Sequence, residues 1–312
     1  MRPCPNIPIF MSYLYKKVHC NICHVDDTIY IGKRAPSAYN IPDNLKADIV
    51  KCKRCGLMYP DPMPFADDGQ LQKNYGSAKD YFPSELTADR FDFYRSILKR
   101  MERYCKKGRL LDIGCGRGEM LYVAKESGWD VLGVDVSTGF ADYARHKFGV
   151  EVVTGDLKDI NPACGKFDAA SLISVLQHAY DPAGLLKSIN QKLKNGGLLF
   201  LEVMNNASLV YAAGDLYYRL TGSDKTTNLS PTFPSYQIYG FSKRPLLKIL
   251  ELSGFKVISM EIEGGISQTE RVVKTGFKAM LLALARKFIM IAARLLNSGQ
   301  VISIYAVKER DI

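Results

Sequence analysis

The chain has 312 residues, of which 47% are hydrophobic and 24% are charged, and its formal net charge is +10 at pH 7. This composition is typical of a folded globular protein and excludes a disordered chain, a collagen and a coiled coil. Residues 1–60 have nine Lys and Arg against four Asp and Glu, residues 265–312 have eight against three, and the residues between them balance. The neutral middle of the chain differs from a uniformly basic nucleic-acid binder, so an RNA or DNA partner is less expected than a small molecule, and an anionic partner is expected to contact the two basic ends.

Four of the eight cysteines form two pairs near the N-terminus, and each pair has two residues between its members. Two thiolates in one such turn can bind a single tetrahedral metal ion, and two turns complete a closed site. We predict a structural zinc ion bound by Cys20, Cys23, Cys52 and Cys55. Gly56 after the second pair supports this prediction because such turns need a residue that tolerates positive φ. Four reduced thiols without a metal are the alternative.

A glycine-rich turn follows the short apolar strand predicted at residues 110–113. A leading acid and three alternating glycines make up this turn, and they are Asp112, Gly114, Gly116 and Gly118. A helix to Ser127 and a strand at 130–134 follow, and Asp135 stands at the end of that strand. Such a βαβ unit binds nucleotide-like ligands, because glycines allow close approach, the helix N-terminus is electropositive and the terminal acid accepts ribose hydroxyls. The leading Asp112 would repel a pyrophosphate and suits a ligand that has an ammonium group.

This turn resembles the first motif of the class I S-adenosylmethionine-dependent methyltransferases, whose form is acid-x-Gly-x-Gly-x-Gly. Further segments resemble later elements of that family in the same order: a third strand at 151–153, Gly155–Leu157 after it, a fourth strand from Phe167 to Ser174, a fifth strand at 196–201, and a closing antiparallel pair at 254–257 and 303–307. The resemblance implies an α/β fold with a seven-stranded mixed sheet of the Rossmann-like methyltransferase type, preceded here by a small zinc ribbon.

The resemblance also implies S-adenosylmethionine as the cofactor. The residues that match cofactor-binding positions of the family are Asp112, Gly114, Cys115, Gly116, Asp135, Val136, Asp156, Leu157 and Ser174. In the family, the position of Asp135 binds the ribose, that of Asp156 and Leu157 contacts adenine, and that of Ser174 lies against the methyl donor.

The loop after the fourth strand contains His178, at a position where the family often has a histidine. One interpretation makes His178 a general base that takes a proton from a substrate hydroxyl, which contributes about 10²–10⁴-fold in rate. The other makes it a residue that packs or hydrogen-bonds locally, with rate enhancement from alignment alone. Asp181 before Pro182 is predicted to be the N-cap of a helix over residues 182–193.

Residues 205–241 are predicted to be an inserted lid that binds the acceptor, because loops of this length are usually functional. Its aromatic residues are Tyr211, Tyr217, Tyr218, Phe233, Tyr236 and Tyr239. Their faces and hydroxyls suit a sugar or an aromatic acceptor, and core packing is an equal alternative for half of them. By family resemblance, Tyr75 and Tyr81 are expected to close over the donor.

Residues 274–297 are predicted to form an inserted helix whose charged residues are all basic. Its apolar stripe consists of Phe277, Leu281, Leu284, Phe288, Ile291 and Leu295. Such a helix can lie on an anionic membrane or contact a lipid-linked substrate. Packing on its own domain or at a dimer interface is the interpretation that we favour. With no transmembrane run and no secretory signal in the sequence, we expect a cytoplasmic protein, with contact at the inner membrane face as the alternative.

We therefore predict a zinc-ribbon module at 1–62, a helical linker over the cofactor site at 63–104 and a methyltransferase domain at 105–312. The segment from Cys52 to Pro62 resembles bacterial methyltransferases with such a module, many of which act on sugars in surface-polysaccharide or natural-product pathways. We expect O-methylation of a sugar or other small acceptor. A zinc-ribbon RNA methyltransferase and a non-catalytic protein that binds S-adenosylmethionine are the alternatives.

Overall fold

The computed structural model describes residues 14–34, 47–65, 86–227, 229, 237–263, 288–289, 291–293 and 295–312. The strands in these ranges are β1 (Leu14–Lys16), β2 (Thr28–Arg34), β3 (Asp48–Cys52), β4 (Met58–Pro60), β5 (Met63–Phe65), β6 (Arg109–Ile113), β7 (Asp130–Asp135), β8 (Val152–Thr154), β9 (Phe167–Ile173), β10 (Leu193–Met204), β11 (Lys225–Thr226), β12 (Phe255–Glu263) and β13 (Val301–Lys308). The helices are α1 (Ala88–Met101), α2 (Glu119–Glu126), α3 (Thr138–Phe148), α4 (Pro182–Lys192), α5 (Leu209–Leu220) and α6 (Lys243–Leu252).

The central feature is a seven-stranded sheet with the order β12-β13-β10-β9-β6-β7-β8. β6 pairs in parallel with both β7 and β9, and β13 runs antiparallel to β10 and β12. The chain leaves β6 toward β7 and later returns to its other side at β9, so the connections diverge between β6 and β9. A crevice opens at the carboxyl ends of the strands at such a point, which is where ligands bind in this class of fold. The predicted seven-stranded mixed sheet is confirmed.

The sheet is apolar on both faces because helices cover both. On one face, the strands pack against side chains of α4 and α6, among them Leu186, Ile189, Leu246 and Ile249. On the other face, they pack against side chains of α1 and α2, among them Ile97, Met101, Met120 and Val123. This two-sided burial explains why the strands are short apolar runs without a strict alternation of polar and apolar residues.

The predicted βαβ unit is also confirmed. β6, α2 and β7 follow one another as expected, and Gly128 adopts a φ of 89° at the end of α2. β8 begins one residue later than predicted, at Val152. Asp181 caps α4 as predicted, because its Oδ1 accepts a hydrogen bond from the Gly184 N–H at 3.0 Å.

The N-terminal region forms a second, smaller sheet with the order β11-β2-β3-β4. β2 lies between the two cysteine pairs, β3 ends at Cys52, and the two strands pair antiparallel. β11 comes from the predicted insertion at 205–241 and pairs in parallel with β2. The insertion is therefore more than a loop, because it contains α5 and adds a strand to the N-terminal sheet. β1 and β5 form a separate antiparallel pair.

Most of the predicted basic helix at 274–297 lies outside the described residues, as do Tyr75, Tyr81, Phe233 and Tyr236. Residues 288–289, 291–293 and 295 are helical. Phe288, Ile291 and Leu295 are 79%, 52% and 81% exposed. These three side chains therefore do not pack on the described part of their own domain, whereas Ala293, outside the stripe, is buried. Packing of the stripe at a dimer interface stays a prediction. Within the ranges given above, no helix has both the length and the apolar character to cross a membrane.

Candidate functional site

The glycine turn between β6 and α2 requires its glycines for two reasons. Gly114, Gly116 and Gly118 all adopt positive φ, at 64°, 54° and 84°. A Cβ on Gly114 would lie 2.4 Å from Val175 Cγ2, and a Cβ on Gly118 would lie 2.8 Å from the Ala144 Cβ. The turn therefore combines a left-handed backbone with close packing against the loop after β9 and against α3, and both conditions exclude larger residues.

Asp112 is the second-last residue of β6 and lies between Gly133 of β7 and Ser171 of β9, where the connections of the sheet diverge. Its side chain is 3% exposed, and its Oδ1 accepts a hydrogen bond from the Ser171 hydroxyl at 2.6 Å. The pKa of Asp112 is raised to about 7, first by burial and then by the charges of Asp135 and Glu119, while the hydrogen bond from Ser171 acts in the opposite direction. A cation bound beside this carboxylate would stabilise its charged form and lower its pKa. The site suits an ammonium group.

Asp135 lies at the end of β7, beside the glycine turn. Its Oδ2 accepts from the Gly116 N–H and its Oδ1 from the Ser137 N–H, both at 2.8 Å. Burial raises the pKa of Asp135, and these two N–H groups lower it. Each carboxylate oxygen can accept a second hydrogen bond, so the side chain is held in place and could still accept two ribose hydroxyls. Val136, directly after it, is 42% exposed.

The other predicted cofactor residues have more varied surroundings. Asp156 is exposed, and its Oδ1 accepts from the Lys158 N–H at 2.8 Å. Leu157 is buried and belongs to the hydrophobic core, and its predicted contact with adenine stays a prediction. The Cys115 thiol is also buried, which raises its pKa well above the usual value and keeps it neutral. Ser174 has a φ of 57°, and its N–H donates to the Glu202 carbonyl oxygen at 2.9 Å.

Helix α1 covers the glycine turn through charged residues that the sequence motifs did not indicate. Glu119 Oε1 accepts from Arg90 Nε and from Arg117 Nη2, each at 2.8 Å. Glu119 and Arg117 are buried, so this three-residue group connects α1 firmly to the start of α2. Tyr94 of α1 is half-buried. Desolvation and the nearby charges of Glu119, Asp112 and Glu202 raise its pKa, and Arg90 lowers it. This tyrosine therefore lies close to the carboxylates of the crevice.

Glu202, near the end of β10, is a second acid of the crevice that the sequence did not single out. It lies opposite Ile173 of β9 and Ser303 of β13. Its pKa is raised to about 7, first by burial and then by the charge of Glu263, while Arg100 and a hydrogen bond with the Ser174 side chain act in the opposite direction. It stands two residues after Phe200, whose side chain packs on the α1 face, so Glu202 lies on that same face.

His178 ends a short 3₁₀ turn, Leu176–His178, and is half-buried. The carbonyl of its neighbour Gln177 accepts hydrogen bonds from the N–H groups of Ile238 and Tyr239, at 2.8 and 3.0 Å. The end of the insertion therefore packs on the His178 loop. Of the described aromatic residues of the insertion, Tyr211 and Tyr239 are buried and Tyr217 is exposed. The role of His178 as a base stays a prediction.

The four predicted metal ligands converge in the N-terminal region. The sulfur atoms of Cys20, Cys23, Cys52 and Cys55 all lie within 4.8 Å of one another. Zinc–sulfur bonds of about 2.3 Å in a tetrahedron require sulfur atoms about 3.8 Å apart, so the group fits one such ion. In both pairs the residue after the second cysteine donates its N–H to the first cysteine's carbonyl at 2.8 Å. Those residues are His24 and Gly56, with φ values of 55° and 85°.

The thiols of this cluster also have uneven proton affinities. A hydrogen bond from Cys55 lowers the pKa of Cys20 to about 5, while the same contact and burial raise the pKa of Cys55. Burial raises the pKa of Cys52. A bound divalent cation would allow all four thiols to ionise. Among the described residues, this is the one group of Cys, His, Asp and Glu side chains arranged to hold a metal.

Comparison with known proteins identifies the family. A family model described as a methyltransferase domain matches residues 86–260, which is more than half of the chain and contains the glycine turn, Asp135 and His178. The chain belongs to the class I S-adenosylmethionine-dependent methyltransferases. The sequence motifs and the strand order of the sheet agree with this assignment.

Individual relatives of this methyltransferase are distant. A ubiquinone biosynthesis O-methyltransferase from Coxiella burnetii is 28% identical over 131 residues, which are 40% of this chain and 54% of that protein. One from Colwellia psychrerythraea is 27% identical over 158 residues, which are 47% of this chain and 63% of that protein. The chain thus spans about half the length of the curated relatives that it matches first. Magnesium protoporphyrin IX methyltransferase from Synechocystis PCC 6803, solved with bound SAH, shares the fold, with a TM-score of 0.50, 15% identity and coverage of 78% of this chain and 100% of that one.

Proposed function

We propose that the chain transfers a methyl group from S-adenosylmethionine to a hydroxyl oxygen of a sugar or similar small acceptor, in surface-glycan or natural-product biosynthesis. The observation that carries the donor half is the pair of buried acids on either side of the glycine turn. Asp112 would hold the ammonium group of the donor, and Asp135 would hold the ribose hydroxyls. When bound, the donor supplies an electrophilic methyl group, and the chain aligns it with the acceptor.

Three buried carboxamides support a hydroxylated acceptor. Gln177, Asn206 and Gln237 are 2%, 6% and 1% exposed, and Gln177 Oε1, both side-chain polar atoms of Asn206 and Gln237 Nε2 have no hydrogen-bond partner within the described structure. All three residues lie at the junction of the His178 loop, the end of β10 and residues 237–241. An unsatisfied buried amide costs about 1–3 kcal/mol. Hydroxyl groups both donate and accept, so a sugar complements this set of groups better than a phosphate backbone does.

Further observations support the remaining parts of the proposal. His178 lies in the loop after β9 and is proposed as the base that removes the acceptor hydroxyl proton. The relatives from Coxiella and Colwellia are O-methyltransferases by name, which agrees with oxygen as the methylated atom. The four-cysteine group is proposed to bind a structural zinc ion, because it leaves no open position for water. The exposed Phe288, Ile291 and Leu295 support peripheral contact with a membrane or a lipid-linked acceptor.

The proposal is tested by measuring SAH formation from S-adenosylmethionine with three acceptor classes: nucleotide sugars, lipid-linked glycans and ribosomal RNA. We expect turnover with one of the two sugar classes, loss of turnover in Asp135→Ala, and loss of turnover with retained SAH binding in His178→Ala. Turnover with RNA alone would assign the chain to the zinc-ribbon RNA methyltransferases. SAH binding without turnover on any class would favour the non-catalytic alternative.

A further inference from the structure

The first cysteine pair contacts the catalytic domain directly, through the residue between its two cysteines. Asn21 Nδ2 donates to Asp181 Oδ1 at 3.0 Å, and Asn21 Oδ1 accepts from the Ala183 N–H at 3.0 Å. Asp181 and Ala183 stand at the start of α4, directly after the loop that contains His178. One side chain of the cysteine turn thus contacts both sides of Pro182.

These contacts complete the N-terminal cap of α4. The first N–H groups of a helix have no partner within the helix, and side chains usually satisfy them. Pro182 has no N–H, the Ala183 N–H donates to Asn21, and the Gly184 N–H donates to Asp181 Oδ1. The cap is therefore shared between Asp181, which is local, and Asn21, which is about 160 residues away in the chain.

Both cysteine pairs contact α6. Lys248 Nζ lies 3.4 Å from Cys23 Sγ, and Arg244 Nη2 donates to the Arg54 carbonyl oxygen at 2.6 Å. A zinc ion bound by four thiolates leaves a net negative charge on the site, and the Lys248 ammonium group partly compensates that charge. α6 packs on the same face of the sheet as α4. The two cysteine turns thus contact both helices of that face.

We infer that the metal-bound first cysteine pair positions the His178 loop, with Asn21 and Lys248 as the positioning residues. The inference depends on the zinc assignment in the proposed function. Four zinc–sulfur bonds hold the Cys20–Cys23 turn in one conformation, and that conformation places Asn21 at the start of α4. Loss of the metal removes this restraint, so the cap and the loop before it become less ordered. The zinc site then has a role in arranging the acceptor side of the crevice, at a distance from the donor.

Hydrogen–deuterium exchange across residues 176–186 tests this inference. In Asn21→Ala we expect the amides of Ala183 and Gly184 to exchange about fivefold faster, which is the usual effect of losing a cap. SAH affinity and zinc content should stay at their wild-type values. Removal of zinc from the wild-type protein with a chelator should produce the same increase at the same amides. Asn21→Ser should retain part of the protection, because serine also accepts N–H groups at helix starts.

Matched controls come from residues with similar contacts elsewhere. Asn161 Oδ1 accepts from the Ala163 N–H at 2.9 Å at the start of another short turn, and in the described part of the chain no hydrogen bond joins it to the cysteine turns. Asn161→Ala should raise exchange only near residue 163, and zinc removal should leave that region unchanged. Lys248→Met should release zinc to a chelator about tenfold faster, as expected for a lost charge-assisted contact. Lys192→Met, which removes a contact with the Ile160 carbonyl at 3.3 Å, should not.

Two results of the exchange experiment would overturn the inference. One is unchanged exchange at residues 176–186 after complete removal of zinc, and the other is wild-type exchange at Ala183 in Asn21→Ala. A purified protein that contains no metal would overturn both this inference and the zinc assignment. Absence of SAH binding with normal, zinc-dependent exchange would instead contradict the proposed methyl transfer and leave the positioning role intact.

Discussion

Replacement of Asp112 by asparagine should stabilise the fold at neutral and alkaline pH and abolish donor binding. Asparagine has nearly the same shape, and it keeps the oxygen that accepts the Ser171 hydroxyl at 2.6 Å. It removes a charge that is almost fully buried. The substitution thus isolates the energetic effect of the Asp112 charge from that of its packing.

The size of the effect follows from the pKa of Asp112. Burial, the largest cause, raises that pKa from 3.8 to about 7. Between these values, the folded protein holds a proton that the unfolded chain has released, so the free energy of unfolding falls as the pH rises through this window. At about 1.4 kcal/mol per pKa unit, the loss above pH 7 is roughly 4 kcal/mol. Asparagine avoids this loss, and burial of its amide offsets part of the gain, so we expect a net gain of about 1–3 kcal/mol.

Urea denaturation at about pH 5 and pH 8 measures this effect. Asp112→Asn should be more stable than the wild type at the higher pH, and equal to it or about 1–2 kcal/mol less stable at the lower pH, where the folded wild type keeps the proton on Asp112. Asp168→Asn is a control of opposite sign: burial raises the pKa of Asp168, but the Arg109 N–H and the Lys194 ammonium outweigh it and lower the pKa. It should be less stable at the higher pH. An Asp112→Asn protein that is less stable than the wild type at both pH values would refute the reasoning.

Three further substitutions have defined outcomes. Gly114 has a φ of 64°, and a Cβ there would lie 2.4 Å from Val175 Cγ2. Gly114→Ala should therefore lower the free energy of unfolding by about 1–3 kcal/mol and weaken SAH binding in a calorimetric titration. Wild-type SAH affinity would contradict this prediction. Cys52→Ser should lower zinc content, measured by mass spectrometry of the metal, together with solubility; full zinc stoichiometry would argue against the four-cysteine site. The pKa of Glu202 is also raised to about 7, mainly by burial, so the wild type should lose stability between about pH 5 and pH 8. Glu202→Gln should reduce this loss in urea denaturation. An unchanged pH dependence would show that this carboxyl titrates normally.

The parts of the fold that depend on local patterns could be predicted from the sequence. The apolar strand, alternating glycines and terminal Asp135 lie within 30 residues of one another, so each element limits the conformation of the next. The cap at Asp181 and the cysteine turns are equally local. For the same reason, the positive φ values of the glycine turn and of Gly56 agree with the residue types found there.

The remaining features depend on contacts between distant segments. β11, which pairs with β2, has only two residues, and a strand this short gives no periodic pattern in the sequence. Glu202 looked like an ordinary strand residue, and its raised pKa arises from neighbours on other elements. Asn21 gave no signal because its partners are about 160 residues away. The periodicity at 274–297 identified an apolar face but could not show that Phe288 and Leu295 face solvent.

The central claim is that Asp112 and Asp135 form the site for the methyl donor. Calorimetric titration of SAH into the wild type and into Asp135→Ala tests this claim most directly, with zinc content measured in both proteins. The account predicts micromolar binding by the wild type, and loss of that binding in Asp135→Ala with unchanged zinc content. Equal affinity in the two proteins, or no binding by a folded, zinc-containing wild type, would contradict it.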